Sequence, residues 1–292
     1  MLLPLLAGIA LIPEVFFKNP FFLSSISEKP FIFNINFLSN QGNYLFRYHG
    51  FRAAIMRRAR FSERCLIISY LRCARKFFSN RELAEALEIP EPVLSRYVTG
   101  NSLPNEKNTK KLLEKIKKLK LIKKILDLKI EVDKEGLVNL TSIAFDPLFL
   151  RMASINAYLE FKNLNVDSVI TAAVNGVPLA TLVSEILHTG LCIAKREIDV
   201  GEKEYYSVDV VYPPPSPRRI NFHIPHRLLS GKKRVLVVDD LLYSGKTLDA
   251  ITRLAEKAGS RVVGLYTLVA VGDSWKEKIP ETLEKLVVVK FI

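Results

Sequence analysis

The stretch VLVVDDLLYSGKT, from Val235 to Thr247, joins an apolar run to an ending that resembles a phosphate loop. Loops that bind nucleoside triphosphates follow G-x-x-x-x-G-K-[ST], so with Gly245 as the second glycine the first should stand at position 240, which is Asp. A carboxylate there would project toward the phosphates that the backbone N–H groups of the loop bind, and its negative charge would repel them. The stretch therefore either matches that loop by accident or binds a different phosphate compound.

The segments around this stretch alternate between apolar runs of strand length and amphipathic runs of helix length. Continuous apolar strands indicate a parallel sheet buried on both faces, whose ligands bind beyond the carboxyl ends of the strands. The loop after Val238 is expected at that edge of an α/β fold. Strands are predicted at 166–174, 191–196, 234–240 and 261–271, and helices at 177–187 and 247–258.

Two acidic residues at the end of such a strand, followed by L-L-Y-S-G-K-T and a helix, resemble the phosphoribosyl pyrophosphate (PRPP) motif of type I phosphoribosyltransferases. Asp239 and Asp240 can accept hydrogen bonds from the ribose 2′ and 3′ hydroxyls. The loop N–H groups and the hydroxyls of Ser244 and Thr247 would face a 5′-phosphate at a helix N-terminus. The predicted ribose-phosphate site consists of Asp239, Asp240, Leu242, Tyr243, Ser244, Gly245, Lys246 and Thr247.

The turn in T-A-A-V-N-G resembles the pyrophosphate loop of the same family. Gly176 would allow close approach of the backbone to the ligand, and the helix after it would add its dipole. The resemblance also places the basic pair at 195–196 near pyrophosphate; a pair of solvated surface residues is the alternative. Residues 205–234 occupy the position of the family's hood or active-site loop. The predicted pyrophosphate site consists of Ala173, Val174, Asn175, Gly176, Lys195 and Arg196.

The resemblance covers about residues 130–292 and identifies no catalytic residue. The K-x-h-G segment of the orotate enzymes is absent, and nothing in the hood region indicates a purine or a pyrimidine. No metal site and no directly bound cofactor are predicted, and Mg²⁺ is expected only together with PRPP.

The net charge of +13 is concentrated in one part of the chain. Residues 56–125 contain 18 Lys and Arg against 7 Asp and Glu, a net charge of +11, whereas residues 126–292 contain 21 of each. A short basic segment beside a neutral one indicates that the basic part binds a polyanion, with nucleic acid the first candidate. A solvated Lys-rich helix is the alternative.

The segment SNRELAEALEIPEPVLSRYVTG, from Ser79 to Gly100, predicts two short helices around a tight turn. Ser79 and Glu82 can form a capping box at the start of the first helix. Residues 88–90 break that helix, a second helix runs from about Glu91 to Val98, and Gly100 ends it.

This pattern resembles the phage-repressor-like class of helix-turn-helix domains. The resemblance places the start of the first helix at the DNA phosphate backbone and the start of the second toward base edges, with phosphate contact one turn further on. Glu88 stands where the signature has a turn glycine, so a positive φ there would strain the turn. A helical interaction module is the alternative. The predicted DNA-binding residues are Asn80, Arg81, Glu91, Pro92, Val93, Ser95 and Arg96.

The first 55 residues have a different composition, with nine of the 17 Phe. Their opening apolar run ends at Glu14, which makes it too short to span a bilayer, and no basic segment precedes it as in a signal peptide. Phe, Ile and Asn together are typical of translated A/T-rich non-coding DNA. The functional chain is therefore expected to start near Met56, with a peripheral membrane anchor as the alternative.

Three parts are thus predicted: an extension at 1–55, an all-helical helix-turn-helix domain at 56–125, and a phosphoribosyltransferase-like domain at 126–292. This architecture resembles archaeal transcription regulators, among them a glucose and fructose catabolism regulator. The resemblance implies a homodimer that binds double-stranded DNA and senses PRPP or a nucleotide; an active phosphoribosyltransferase is the alternative. The odd cysteine count indicates a reducing cytoplasm, and no membrane partner is expected.

Overall fold

The structure is a computed structural model that describes residues 51–212, 218–231 and 233–292, with side chains described from Glu63 onward except that of Tyr212. The predicted extension at 1–55 lies outside these residues, apart from the backbone of 51–55 in the first helix. None of the helices in the described ranges is both long and apolar enough to cross a bilayer.

The amino-terminal part of the described chain is helical. The predicted capping box is confirmed, because the Ser79 hydroxyl accepts the Glu82 N–H at 3.2 Å and the Glu82 carboxylate accepts the Ser79 N–H at 2.7 Å. Gly100, with φ 82°, follows the third helix, which extends one residue further than predicted. The helices are α1 (Phe51–Ala74), α2 (Asn80–Leu87), α3 (Glu91–Thr99), α4 (Glu106–Leu119) and α5 (Leu121–Lys129).

A short hairpin, β1 (Glu131–Val132) and β2 (Val138–Asn139), and the single turn α6 (Thr141–Ala144) lead into α7 (Pro147–Phe161). Most of the α7 side chains are buried, because α1, α4, α5 and elements of the sheet part all pack against this helix. One hydrophobic cluster continues from the helical part through α7 into the sheet. The predicted boundary at 125/126 falls within α5.

The predicted α/β fold with a parallel sheet is confirmed. Each predicted strand and helix of this part is present, with ends within two residues of the prediction, whereas the edge strand β9 was not predicted. The sheet has the order β4-β3-β7-β8-β9, with every pair parallel. Its strands are β3 (Ser168–Ala172), β4 (Gly190–Ala194), β7 (Arg234–Leu242), β8 (Arg261–Ala270) and β9 (Lys285–Phe291), crossed by α8 (Gly176–Leu187) and α10 (Lys246–Lys257).

The strand order reverses between β3 and β7. From β3 the chain crosses through α8 to β4 on one side, and β7 pairs on the other side of β3. The pairing of β3 with β7 ends at Ile170 and Val237, before either strand ends. The carboxyl ends of the two strands therefore border a crevice at the topological switch point, where open α/β sheets bind their ligands.

An antiparallel ribbon occupies the position predicted for the hood. It consists of β5 (Tyr205–Tyr212) and β6 (Arg218–Pro225), followed by the short helix α9 (His226–Leu229). The ribbon is joined to the end of β4 by two backbone hydrogen bonds between Lys195 and His223, of 3.0 and 2.8 Å. The sequence analysis did not predict that this region forms two paired strands.

Candidate ligand-binding cleft

A cleft of about 650 Å³ opens where β3 and β7 end. Sequence reasoning predicted most of its lining from two separate loops, and the structure brings those loops together. The predicted residues that line it are Ala173, Val174, Asn175, Gly176, Lys195, Arg196, Asp239, Asp240 and Thr247. Sequence reasoning missed Ala172, Glu197, Phe222 and Leu241; Phe222 lies on the ribbon, which gave no separate signal.

Gly176 is where the two loops touch. A Cβ atom at this position would overlap the Thr171 hydroxyl oxygen and would lie 2.8 Å from Asp239 Oδ1. A residue without a side chain is therefore required for α8 to begin beside the end of β7. The neighbouring Ala173–Val174 peptide bond is cis.

Asp239 and Asp240 form a buried carboxylate pair on the floor of the cleft, with 8% and 7% of their surfaces exposed. The Asp240 N–H donates to Asp239 Oδ1 at 3.0 Å. Burial raises the pKa of Asp239 well above its ordinary value, and the adjacent Asp240 charge raises it further; burial also raises the pKa of Asp240. No cation is among the groups that shift these two pKa values, so ionising the pair carries a cost that its immediate contacts do not offset.

The loop between β7 and α10 has the geometry of an open helix start. Gly245 adopts φ 71° at the N-cap position, and no side chain caps α10 there. The first N–H groups of a helix without a cap are available to an anion. Thr247 lines the cleft, whereas the predicted residues before it do not: Leu242 is buried in the core, Tyr243 is 58% exposed, Ser244 is half-buried, and Lys246 donates to the Val211 carbonyl at 3.1 Å.

The two predicted pyrophosphate cations differ in their surroundings. Lys195 donates to both carboxylate oxygens of Asp199, at 2.8 and 2.9 Å, whereas Arg196 is exposed. Glu197 also lines the cleft, so this lining holds three carboxylates and two cations. A strongly anionic ligand would thus meet both negative and positive side chains in this cleft.

The predicted DNA-binding residues lie around α2 and α3. Arg81, Glu91, Pro92, Ser95 and Arg96 are exposed, whereas Asn80 is half-buried and Val93 packs partly against the core. Arg81 forms an ion pair with Glu85 at 3.0 Å.

Glu88 adopts φ 49°, the left-handed conformation that the missing turn glycine would favour. The groove between the two helices is lined by several acidic side chains, those of Glu85, Glu88 and Glu91.

Part of the excess basic charge has a structural use that composition could not show. Lys115 donates to the Leu87 carbonyl at 2.8 Å at the end of α2 and pairs with Glu88 at 2.6 Å. Arg72 donates to the Val98 carbonyl at 2.6 Å near the end of α3. Cations at these positions satisfy terminal carbonyls and complement the helix dipole.

Comparison with known proteins locates a family in the carboxyl-terminal part. The phosphoribosyl transferase domain model matches residues 150–288. The chain is 27% identical over 143 residues to the probable purine biosynthesis transcriptional regulator PurR of Streptococcus pneumoniae, covering 49% of this chain and 52% of that protein.

Two further relatives match a similar length of the chain. The purine biosynthesis transcriptional activator PurR of Lactococcus lactis is 30% identical over 131 residues, or 44% of this chain and 48% of that protein. The hypoxanthine/guanine phosphoribosyltransferase of Methanococcus voltae is 28% identical over 127 residues, which cover 40% of this chain and 59% of that protein. The chain spans about half the length of the curated regulators it matches. The family match contains both loops of the cleft, and the carboxyl-terminal part of this chain therefore has the phosphoribosyltransferase fold.

Proposed function

We propose that this protein is a DNA-binding transcription regulator whose cleft between β3 and β7 senses PRPP or a nucleotide. The observation that carries the proposal is the meeting of the buried aspartate pair with the Gly176 turn at one switch point. The similarity of just under half of the chain to purine biosynthesis regulators supports a regulatory role.

The ribose end of the ligand would lie on the aspartate pair. Ribose hydroxyls can donate to Asp239 and Asp240, and hydrogen bonds to charged acceptors in a buried site are among the stronger ones. The 5′-phosphate would accept from the open N-terminus of α10, next to Thr247.

The pyrophosphate end would lie by the Gly176 turn, with Lys195 and Arg196 beside it. Among the described residues no group of three or more His, Cys, Asp or Glu side chains could hold a metal ion. We propose that Mg²⁺, where it takes part, enters together with PRPP.

The DNA side of the proposal rests on the helical part. Exposed Arg96 and Arg81 lie on the two helices of the predicted helix-turn-helix. One recognition helix contacts only a few base pairs, so we propose a symmetric homodimer that places two copies of α3 on half-sites about one helical turn apart. The free thiols of Cys65, Cys73 and Cys192 are consistent with a cytoplasmic regulator.

An active phosphoribosyltransferase is the second candidate, favoured by the similarity to the Methanococcus voltae enzyme. Release of pyrophosphate from PRPP that depends on an added nucleobase would establish it. The same assay without such release, together with an effect of PRPP on DNA affinity, would support the regulator.

The variant Asp240→Asn tests the proposed function. It keeps the shape of the side chain but removes an anionic acceptor that contributes roughly 1.5–3 kcal/mol, so PRPP should bind at least about tenfold more weakly. DNA affinity without ligand should stay unchanged. Asp273→Asn, which removes an exposed carboxylate paired with Lys276, is the control and should leave both affinities unchanged.

Calorimetry with PRPP and fluorescence anisotropy with DNA, each with and without the other ligand, give all four affinities. Because linkage is reciprocal, PRPP and DNA must change each other's affinity by the same factor. Binding of PRPP without any change in DNA affinity would remove the sensing role. Failure to bind PRPP or any nucleotide would remove the assignment of the cleft.

A further inference from the structure

Lys195, one of the two cations that line the cleft, is already bound by an anion of its own loop. Its ammonium group donates to both carboxylate oxygens of Asp199, at 2.8 and 2.9 Å. An ammonium group has three N–H donors, so this carboxylate occupies most of what a phosphate oxygen would use. Asp199 itself is not among the residues that line the cleft.

The position of Asp199 is fixed by contacts that do not involve the Lys195 ammonium group. The Tyr205 hydroxyl accepts the Asp199 N–H at 2.8 Å and donates to the Asp199 carbonyl at 3.2 Å. The Tyr205 ring packs edge-on against His223, with 6.1 Å between ring centroids. His223 in turn pairs through its backbone with Lys195. The loop from 195 to 205 is therefore closed at both ends, and it holds the carboxylate next to the ammonium.

The charges around the cleft give this pair its significance. With Lys195 neutralised, Arg196 is the remaining cation of a lining that also holds Glu197 and the aspartate pair. An anionic group that enters at this end gains Lys195 as a second cationic partner only when Asp199 releases it.

We propose that Asp199 is an internal competitor for the anionic end of the ligand. In the unliganded cleft it neutralises Lys195, and ligand binding exchanges the Asp199 carboxylate for a phosphate oxygen on the same ammonium group. This inference rests on the proposed function, in which the cleft takes a phosphorylated ribose compound. The competition lowers the affinity of the cleft and so raises the effector concentration at which the protein responds.

The test is Asp199→Asn in the full chain, titrated calorimetrically with PRPP and with inorganic pyrophosphate. Exposed ion pairs are individually weak, and both side chains are about 43–44% exposed, so both probes should bind about two- to fivefold more tightly. Glu197→Gln is the matched control, because it removes a carboxylate that lines the same cleft without contacting Lys195; its gain should be smaller. In a Lys195→Ala background, Asp199→Asn should have no effect.

Three results would overturn the inference. The first is that Asp199→Asn binds the probes no more tightly than a wild type that does bind them. The second is that Asp199→Asn and Glu197→Gln increase the affinity equally, and the third is that Asp199→Asn increases the affinity as much in the Lys195→Ala background as in the wild type. A wild type that binds neither PRPP nor a nucleotide contradicts the proposed function, yet tighter pyrophosphate binding by Asp199→Asn would still uphold the competition. If neither form binds either probe, both proposals fall. Thermal melting of each variant verifies that it is folded.

Discussion

Carboxylates in two regions of the molecule, half-buried Glu160 and buried Asp239, have opposite electrostatic surroundings. Burial acts to raise the pKa of Glu160 on α7, but hydrogen bonds from Lys285 and Lys117 outweigh it, and the pKa lies below its ordinary value. Those two cations are 2.6 and 3.1 Å away and come from β9 and α4. Burial also raises the pKa of Asp239, and its carboxylate neighbour raises it further. A carboxylate that joins elements of the fold is supplied with cations, whereas the cleft pair is not.

The two regions therefore respond to pH in opposite directions. A pKa raised by folding, as for Asp239, gives a contribution to stability that is present below the ordinary value of about 3.9 and is lost as pH rises through the raised pKa. A lowered pKa, as for Glu160, gives a contribution that is present above about 4.3 and is lost as pH falls through the lowered pKa.

The largest effect is expected from Gly176→Ala, which forces the aspartate pair and α8 apart. The added methyl group would overlap the Thr171 hydroxyl and crowd Asp239, which should destabilise the fold by roughly 1–3 kcal/mol. PRPP affinity should fall more than about tenfold, since both ligand loops move. Denaturant unfolding and calorimetry measure the two effects. Asn175→Ala, from the same turn, should leave stability near the wild-type value; equal stability of Gly176→Ala and wild type would contradict the packing argument.

Asp239→Asn should make the unliganded protein more stable at pH 7 while weakening PRPP binding. The amide avoids the cost of ionising a buried carboxyl group, which is about 1.4 kcal/mol for each unit by which the pKa is raised. Denaturant unfolding between pH 4 and pH 8 should show the gain growing with pH. Glu160→Gln is the opposite case: it should be less stable than wild type at pH 7. Because this deficit closes only as pH falls below about 4.3, its curve and that of the wild type are extended down to about pH 2.5. Parallel pH curves for the three proteins would remove the contrast.

The same contrast separates the cations of the helical part. Arg96 is exposed, and Arg72 holds the end of α3. Arg96→Ala should weaken binding to DNA of any sequence and reduce the slope of log affinity against log salt by about 0.9, as for one phosphate contact. Arg72→Ala should instead lower the melting temperature. Val93→Ala should mainly alter the preference for one DNA sequence over another. Fluorescence anisotropy on cognate and on random DNA measures both variants. If Val93→Ala and Arg96→Ala lose affinity equally on the two DNAs, neither the base contact of Val93 nor the phosphate contact of Arg96 holds.

The smallest effect concerns the left-handed turn residue Glu88. Glu88→Ala and Glu88→Gly both lose the ion pair with Lys115, but only glycine tolerates φ 49° without strain. The glycine variant should therefore melt about 2–4 °C above the alanine variant. Equal melting temperatures would show that the turn carries no backbone strain.

Features coded within a few consecutive residues were predictable from the sequence. The run from Val235 to Thr247 contains its strand, its two carboxylates and its helix start, and the capping box of α2 lies within four residues. The contact of Gly176 with Asp239 was not predictable, because strand order and not local pattern brings those positions together.

The roles of Arg72 and Lys115 were also hidden, because their carbonyl acceptors lie 26 and 28 residues further along or back in the chain. The ribbon β5–β6 was missed because the family resemblance gave its sequence the position of a loop. In each case the missing information was which other segment of the chain packs against the one in question.

Helix α7 has a further consequence, for how the protein can be divided. Its buried side chains belong to one cluster with those of α1 on one side and β8 on the other, and the Tyr266 hydroxyl of β8 donates to the Ala153 carbonyl of α7 at 3.0 Å. Removal of the helical part would expose an apolar layer of the remainder to water. We therefore expect the described chain to unfold as one cooperative unit, and the helix pair α2–α3 to lose its packing surface if it is transplanted as a free-standing module.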